Sequence, residues 1–388
     1  MRRPDLAEAL PQAAEIVADV RGRGDAALLD WCERLDGERP GAIRVPEGEI
    51  ASAAAKPELL DAVRNLAAAV EAVHGGQRPP DTACTPTEGV RVERRFHPLQ
   101  SVGIYVPGGR AAYPSSLVMT AVPARVAGVA RIAVSSPRPQ PALLAVAREL
   151  GIDEIYAVGG AQAVAALAYG TETVTSVDKI VGPGNRWVTA AKLLVSGTVG
   201  IDLPAGPSEV MIVADESADP AFCAADLLAQ AEHGPDSECV LVTTSEAVAE
   251  SVERIVAGSE QVRVEVVGSL SEALDRANAY APEHLELHVA NPEAAAGGVV
   301  NAGAVFLGPC SPAVLGDYAS GATHVLPTGG LARSVGGLGL ESFLKPVQYV
   351  SATREGLASV RETVAAFSRA EGLPLHGAAV EARFAEAG

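Results

Sequence analysis

Residues 101–135 read SVGIYVPGGRAAYPSSLVMTAVPARVAGVARIAVS. Val102–Val106 is a short β-branched apolar run and predicts a strand. Tyr105-Val-Pro-Gly-Gly109 then predicts a turn. Pro114 suits a first helical turn, so a helix is expected over 114–129, and Arg131-Ile-Ala-Val134 predicts a second strand. Strand, crossover helix and strand in one stretch describe a βαβ unit with parallel strands.

The same alternation continues outward. A helix is expected at 141–150, a strand at 154–158, and helices at 162–168 and 185–195. A second series gives a strand at 210–213, a helix ending in Gln230-Ala-Glu-His233, a strand at 239–242, a helix at 247–256, a strand at 262–267 and a helix at 271–280. Strands at 285–289 and 304–307 close it. Two successive runs of this kind predict an α/β chain with two doubly wound, Rossmann-like domains and mainly parallel sheets, with ligands at their carboxyl edges. The first hundred residues read mostly as helices, at 7–21, 25–35 and 56–73. After Gly308 the chain turns Gly- and Pro-rich, and a last helix is expected at 354–370. This tail has too little apolar area for a core of its own, so it is expected to pack on something else.

The 388 residues carry a formal charge of -18, with 48% hydrophobic and 20% charged residues. Nucleic acid and anionic membranes need a basic face, so neither is expected as a partner, and no run reaches the length of a membrane span. Arg2-Arg3 leads into Pro-Asp-Leu-Ala-Glu, which supports no secretory or twin-arginine signal. The five cysteines are scattered without a C-x-x-C, which suits a reducing cytoplasm and excludes a thiolate-rich zinc site.

Four of the seven histidines sit in unusual settings: His233, His284, His324 and His376. Gln230 and His233 share one face of a helix end whose unpaired carbonyls favour a cation, and Gly234-Pro235 stops that helix. Glu283-His284, after Pro282, pairs a carboxylate with an imidazole, as stepwise proton transfer needs. The loop from Gly316 offers Asp317 and His324, and zinc accepts carboxylate as well as imidazole. Glu371 and His376 follow the last helix. His74 and His97 are expected in solvent, and His288 as a packed or edge residue. A G-x-G-x-x-G fingerprint is absent, but Tyr105-Val-Pro-Gly-Gly109, Gly159-Gly-Ala-Gln162 and Gly182-Pro-Gly-Asn185 each lead from a strand into a helix. Such turns let phosphate approach a helix N-terminus.

These segments, with Pro204-Ala-Gly-Pro-Ser-Glu, Gln230-Ala-Glu-His-Gly-Pro-Asp-Ser, Pro282-Glu-His-Leu, Gly316-Asp-Tyr-Ala-Ser-Gly and Glu371-Gly-Leu-Pro-Leu-His, resemble the histidinol dehydrogenase family in order and spacing, over about residues 31–380. The resemblance implies oxidation of L-histidinol to L-histidine by two NAD⁺ in succession, through a held aldehyde, with one Zn²⁺ per site. It implies zinc ligands Gln230, His233, Asp317 and His376, proton-transfer residues Glu283 and His284, and NAD⁺ contacts Tyr105, Gln162 and Asn185. Ser208, His324 and Glu371 would contact the substrate, together with His284 and the zinc ligands.

It also implies three domains. Residues 1–104 with 208–335 would form the larger α/β domain, 105–207 the NAD-binding domain, and 336–388 a tail reaching a homodimer partner's site. The chain starts shorter than is usual for the family, which predicts a reduced N-terminal arm. Ala313 stands where a glutamate is common, and Thr323 where an asparagine is. Three rivals share parts of this pattern: a zinc hydrolase, a metal-dependent binding protein for an imidazole compound, and a metal-free aldehyde-dehydrogenase-like enzyme. The last needs a nucleophilic cysteine, and Cys310 is the nearest candidate.

Overall fold

The computed structural model describes residues 6–108, 113–204 and 206–385. Four helices open it: α1 (Ala9–Arg23), α2 (Asp25–Asp36), α3 (Glu47–Ser52) and α4 (Pro57–Gly75). Two antiparallel strands follow, β1 (Thr82–Thr87) and β2 (Val90–Pro98). The sequence reading missed both, because neither buries a residue fully and their polar composition carries no apolar alternation.

The first parallel unit runs β3 (Ser101–Tyr105), α5 (Pro114–Ala127), β4 (Arg131–Ser135), α6 (Pro141–Glu149), β5 (Ile155–Tyr156), α7 (Gly160–Tyr169), β6 (Lys179–Val181), α8 (Arg186–Val195) and β7 (Gly200–Ile201). The strand expected at 154–158 is reduced to two residues. The second unit runs β8 (Glu209–Ala214), α9 (Pro220–Ala231), β9 (Glu238–Thr243), α10 (Glu246–Ile255), β10 (Val262–Val266), α11 (Leu270–Tyr280), β11 (His284–His288), α12 (Pro292–Ala296) and β12 (Ala304–Leu307). The sheets are ordered β5-β4-β3-β6-β7 and β10-β9-β8-β11-β12. All pairings within them are parallel. Both therefore have the doubly wound order that starts in the middle and reverses direction.

The chain ends with α13 (Ala313–Tyr318), β13 (Leu344–Ala352), α14 (Arg354–Ser359), α15 (Arg361–Ala370) and α16 (Pro374–Glu381). The single helix expected at 354–370 is broken at Val360, where φ -101° and ψ 1° leave helical geometry, and α16 was not anticipated. Two compact units result. One comprises residues 1–77 and 99–343, with both parallel sheets; the other comprises 78–98 and 344–388, with the antiparallel sheet β1-β2-β13 and helices α14 to α16.

Period-two alternation on β8 sends neighbouring residues into different cores. Val210 and Ile212 join Cys223 and Leu227 of α9, and Met211 and Val213 join Ala273 and Ala277 of α11. Around the first sheet, α1 and α2 share a core with α7 and α8 through Ile16, Leu28, Val164 and Val188. At the end of β6, Gly182 has φ +113°, and a Cβ there would stand 2.2 Å from the Tyr105 carbonyl oxygen. Only glycine fits that approach. Its amide donates to Asp202 Oδ2 at 2.7 Å and its carbonyl accepts from Lys192 Nζ at 2.8 Å. Lys192 and Asp202 form an ion pair with side chains only 3% and 2% exposed.

Lys192→Met would strand a buried carboxylate, so it is expected to cost about 3–5 kcal/mol of unfolding free energy. Adding Asp202→Asn, which keeps an acceptor for the Gly182 amide without the charge, should recover at least half of that loss. Urea-unfolding midpoints of the two variants check the ordering.

Candidate active site

At the amino end of β11, Glu283 and His284 are both buried, at 6% and 4% exposure. This departs from expectation: ligands were placed at carboxyl edges, and these residues lie at the amino edge of the second sheet. The helix α9 runs back to the same edge and ends at Ala231, two residues earlier than the reading placed it. Gln230 is its penultimate residue, and Glu232 and His233 form a turn beyond it. Asp317, expected in a loop, lies on the short helix α13, while His324 lies in irregular chain after it.

The hydrogen bonds orient the imidazoles. His284 Nδ1 meets the Glu209 carbonyl at 3.0 Å, His233 Nδ1 the Gln230 carbonyl at 3.3 Å, and His324 Nδ1 the Asp317 carbonyl at 3.3 Å. A carbonyl only accepts, so each Nδ1 carries a proton, and in the neutral ring that leaves the lone pair on Nε2. His284 Nε2 stands 4.0 Å from Asp317 Oδ1. Burial holds the His324 imidazole below its usual range against the pull of Asp317, with His284 and His233 adding to the depression, which puts all four groups in one electrostatic neighbourhood.

Glu283 Oε2 accepts from Ser208 Oγ and from the Glu209 amide, both at 2.8 Å. Burial raises its carboxyl above the usual range, opposed by His284 and these two donors. Ser208, expected as a substrate contact, therefore already has a partner in Glu283. Gln230 is 5% exposed and its amide nitrogen has no hydrogen-bond partner, so no bond fixes the amide away from a cation. An amide oxygen, an imidazole nitrogen and a carboxylate make a donor set that zinc accepts.

At the carboxyl edge of the first sheet, Tyr105 Oη accepts from the Gly160 amide at 3.1 Å, joining the end of β3 to the turn that opens α7. Gln162 is buried in that turn. Asn185 caps α8, its Oδ1 accepting from the amides of Trp187 and Val188 at 3.1 Å. Gly109 of the first glycine turn and Ala205 beside Ser208 lie outside the described residues. Glu371 and His376 are exposed in the second unit, where they line a pocket of about 200 Å³ with Phe367, Ser368 and Leu373.

The family model for histidinol dehydrogenase matches residues 1–384. The chain belongs to the histidinol dehydrogenase family. It is 45% identical to the histidinol dehydrogenase of Thermobifida fusca over 98% of this chain and 92% of that one, and 46% identical to that of Halobacterium salinarum over 96% and 92%. The crystal structure of histidinol dehydrogenase from Elizabethkingia anophelis superposes with a TM-score of 0.92 at 37% identity, covering 99% of this chain and 93% of that one. A lactaldehyde dehydrogenase structure shares the fold alone, with a TM-score of 0.52 at 11% identity over 90% of each chain.

Sequence reasoning missed one feature. His288 is packed, as read, but it is 3% exposed within a polar cluster: its Nε2 meets Glu286 Oε2 at 3.1 Å and stands 3.8 Å from Asp226. Alternation on β11 was the available signal, since His284, Glu286 and His288 share one face. Among the described residues Asp226, Glu286 and His288 are a group whose donor atoms are close enough for a metal. The atoms are, however, already paired with each other and with the Ala313 amide. His74, expected in solvent, is 1% exposed.

Burial first, then the Glu286 charge, pushes the Asp226 carboxyl up to about 7. His288 is pushed up to about 10: burial opposes its charge, but bonds to Cys223 and Glu286 outweigh that. The folded state thus holds protons that the unfolded chain releases. The Asp226 contribution to stability is full below the ordinary value of 3.8 and lost by about 7. The His288 contribution is full below 6.5 and lost by about 10. Unfolding midpoints in urea at pH 6.5 and 9 should therefore fall with rising pH, and His288→Gln should flatten the decline.

Proposed function

We propose that this chain catalyses the zinc- and NAD⁺-dependent four-electron oxidation of L-histidinol to L-histidine through L-histidinaldehyde, the closing steps of histidine biosynthesis, in the cytoplasm. The observation that carries the reading is the buried Glu283-His284 pair, with imidazole Nε2 atoms left bare by backbone carbonyls beside Asp317. Gln230, His233 and Asp317, with His376, would hold Zn²⁺, and Tyr105, Gln162 and Asn185 would contact NAD⁺. When bound, zinc holds and polarises the substrate and NAD⁺ accepts hydride.

The protein's own groups divide the remaining work. His284 Nε2 takes the hydroxyl proton as the carbinol carbon gives up hydride, and the Glu209 carbonyl steadies the imidazolium through Nδ1. The aldehyde must be hydrated before it can lose a second hydride. In its ionised form Glu283, oriented by Ser208 and the Glu209 amide, takes the proton from that water. Burial keeps its basicity above that of an ordinary carboxylate. His324 and Glu371 are assigned to the substrate's polar ends.

The rivals fare worse. A hydrolase has no use for three glycine turns at the carboxyl edge of a doubly wound sheet. The thiol route of the shared fold fits less well. Cys310, its nearest candidate, is exposed beyond the carboxyl end of β12, at the opposite edge of the sheet from Glu283 and His284. Burial pushes the Cys32 and Cys239 thiols up to about 11. The division into 1–104 with 208–335, 105–207 and 336–388 is part of the same proposal, with the tail completing the site of a homodimer partner.

Supplying L-histidinol and NAD⁺ to zinc-replete protein should yield two NADH per histidine; a yield of one, or none, overturns the reading. Glu283→Gln should slow histidinaldehyde oxidation at least about 100-fold while sparing histidinol oxidation, since general-base catalysis contributes on that scale. Equal loss in both half-reactions would refute the division. For the shared site, His376→Ala and Glu283→Gln subunits refolded together should regain roughly a quarter of normal histidine formation. Half of the dimers are then mixed, and each mixed dimer holds one intact site. If each chain serves its own site, mixing restores nothing.

A further inference from the structure

Glu286 lies at the centre of β11 and is 0% exposed. It faces the same side of the sheet as His284, towards α9, whereas Leu285 and Leu287 face α11. Its Oε1 accepts from the amide of Ala313, the first residue of α13, at 2.6 Å, and its Oε2 meets His288 Nε2 at 3.1 Å. The Asp226 carboxyl of α9 lies beside it, with a carboxylate oxygen within 4.8 Å of that of Glu286 and 3.8 Å from His288 Nε2. One carboxylate thus touches three elements, and each carries a site residue close by: Gln230 one turn beyond Asp226, Asp317 one turn beyond Ala313, and His284 one pleat before Glu286.

We propose that Glu286 is a positioning residue that fastens α9 and α13 to β11 and thereby sets the spacing of Gln230, Asp317 and His284. The proposal rests on the zinc reading of these residues. Its physical basis is that a metal binds tightly only when its ligands are held at the right separation before the ion arrives, and groups behind the ligands commonly change affinity when removed. Two of the ligand-bearing elements are short or end at the site. Alpha-helix α13 has only six residues and α9 stops one residue after Gln230. Neither has enough helix on the far side to hold its ligand unaided, so a bond one turn back governs where the ligand points.

The test measures Zn²⁺ affinity of the assembled protein by competition with a chelator, alongside the thermal midpoint of the metal-free protein. Glu286→Leu, which cannot accept from Ala313 or bond Asp226, should weaken Zn²⁺ binding about 10- to 100-fold, the range typical of groups behind metal ligands. Glu286→Gln keeps an acceptor for the Ala313 amide and gains a donor for Asp226, so its affinity should stay within about 3-fold of the parent. A second pair guards against misfolding of the first: Asp226→Leu should weaken zinc binding, while Asp226→Asn, which can still donate to Glu286, should not. If the parent protein binds Zn²⁺ but both leucine variants match its affinity, or if Gln and Asn lose as much as Leu, the positioning role falls while the zinc reading stands. A parent protein that takes up no Zn²⁺ overturns both.

Discussion

A carboxylate taken out of water must be hydrogen-bonded, paired or protonated, and much of this protein's second sheet is organised by that requirement. Strand β11 places His284, Glu286 and His288 on the face that α9 covers, beside the wholly apolar Val210, Ile212 and Ala214 of β8. An apolar helix could not close over such a stripe. Helix α9 answers it with Asp226 and Gln230 at a spacing of one turn, on the face that also buries Cys223. The start of α13 supplies an amide. The polar face of one strand therefore determines which residues two other elements present.

The two sheets have the same strand order but are used at opposite edges. In the first, Tyr105, the turn before α7 and Gly182 converge beyond the carboxyl ends of β3, β5 and β6, as the doubly wound rule expects. In the second, the reactive pair lies where β11 begins. The reason is local: α9 returns to the amino edge before β9 starts, and the Gln230 carbonyl in its last turn, which accepts from the His233 amide, also orients the His233 ring. Helix ends suit cations at that edge, whereas helix beginnings suit phosphate at the other.

The alternating units were legible because their strands are β-branched and apolar and their turns carry glycine and proline. The strands β1, β2 and β13 were not, since their residues stay largely exposed and no burial pattern was imprinted on them. Site residues were legible where an unusual residue type met an unusual setting, as in Gln230-x-x-His233 and Pro282-Glu-His284. Glu286 and Asp226 were not: a glutamate in a strand and an aspartate in a helix look like surface residues until the fold shows which face they occupy. The tautomers of His233, His284 and His324 were equally invisible, because the carbonyls that set them come partly from remote chain, such as Glu209 for His284.

The same geometry fixes what position 313 must supply. The contact that seats α13 is made by the main-chain amide of residue 313 and not by its side chain. Any residue except proline supplies that donor. Ala313 is 8% exposed, so a small apolar side chain also avoids adding another charge beside Asp226, Glu286 and His288, whose polar atoms already crowd within 4.8 Å of one another. A change of side chain at 313, other than to proline, would thus leave the bond between α13 and Glu286 intact.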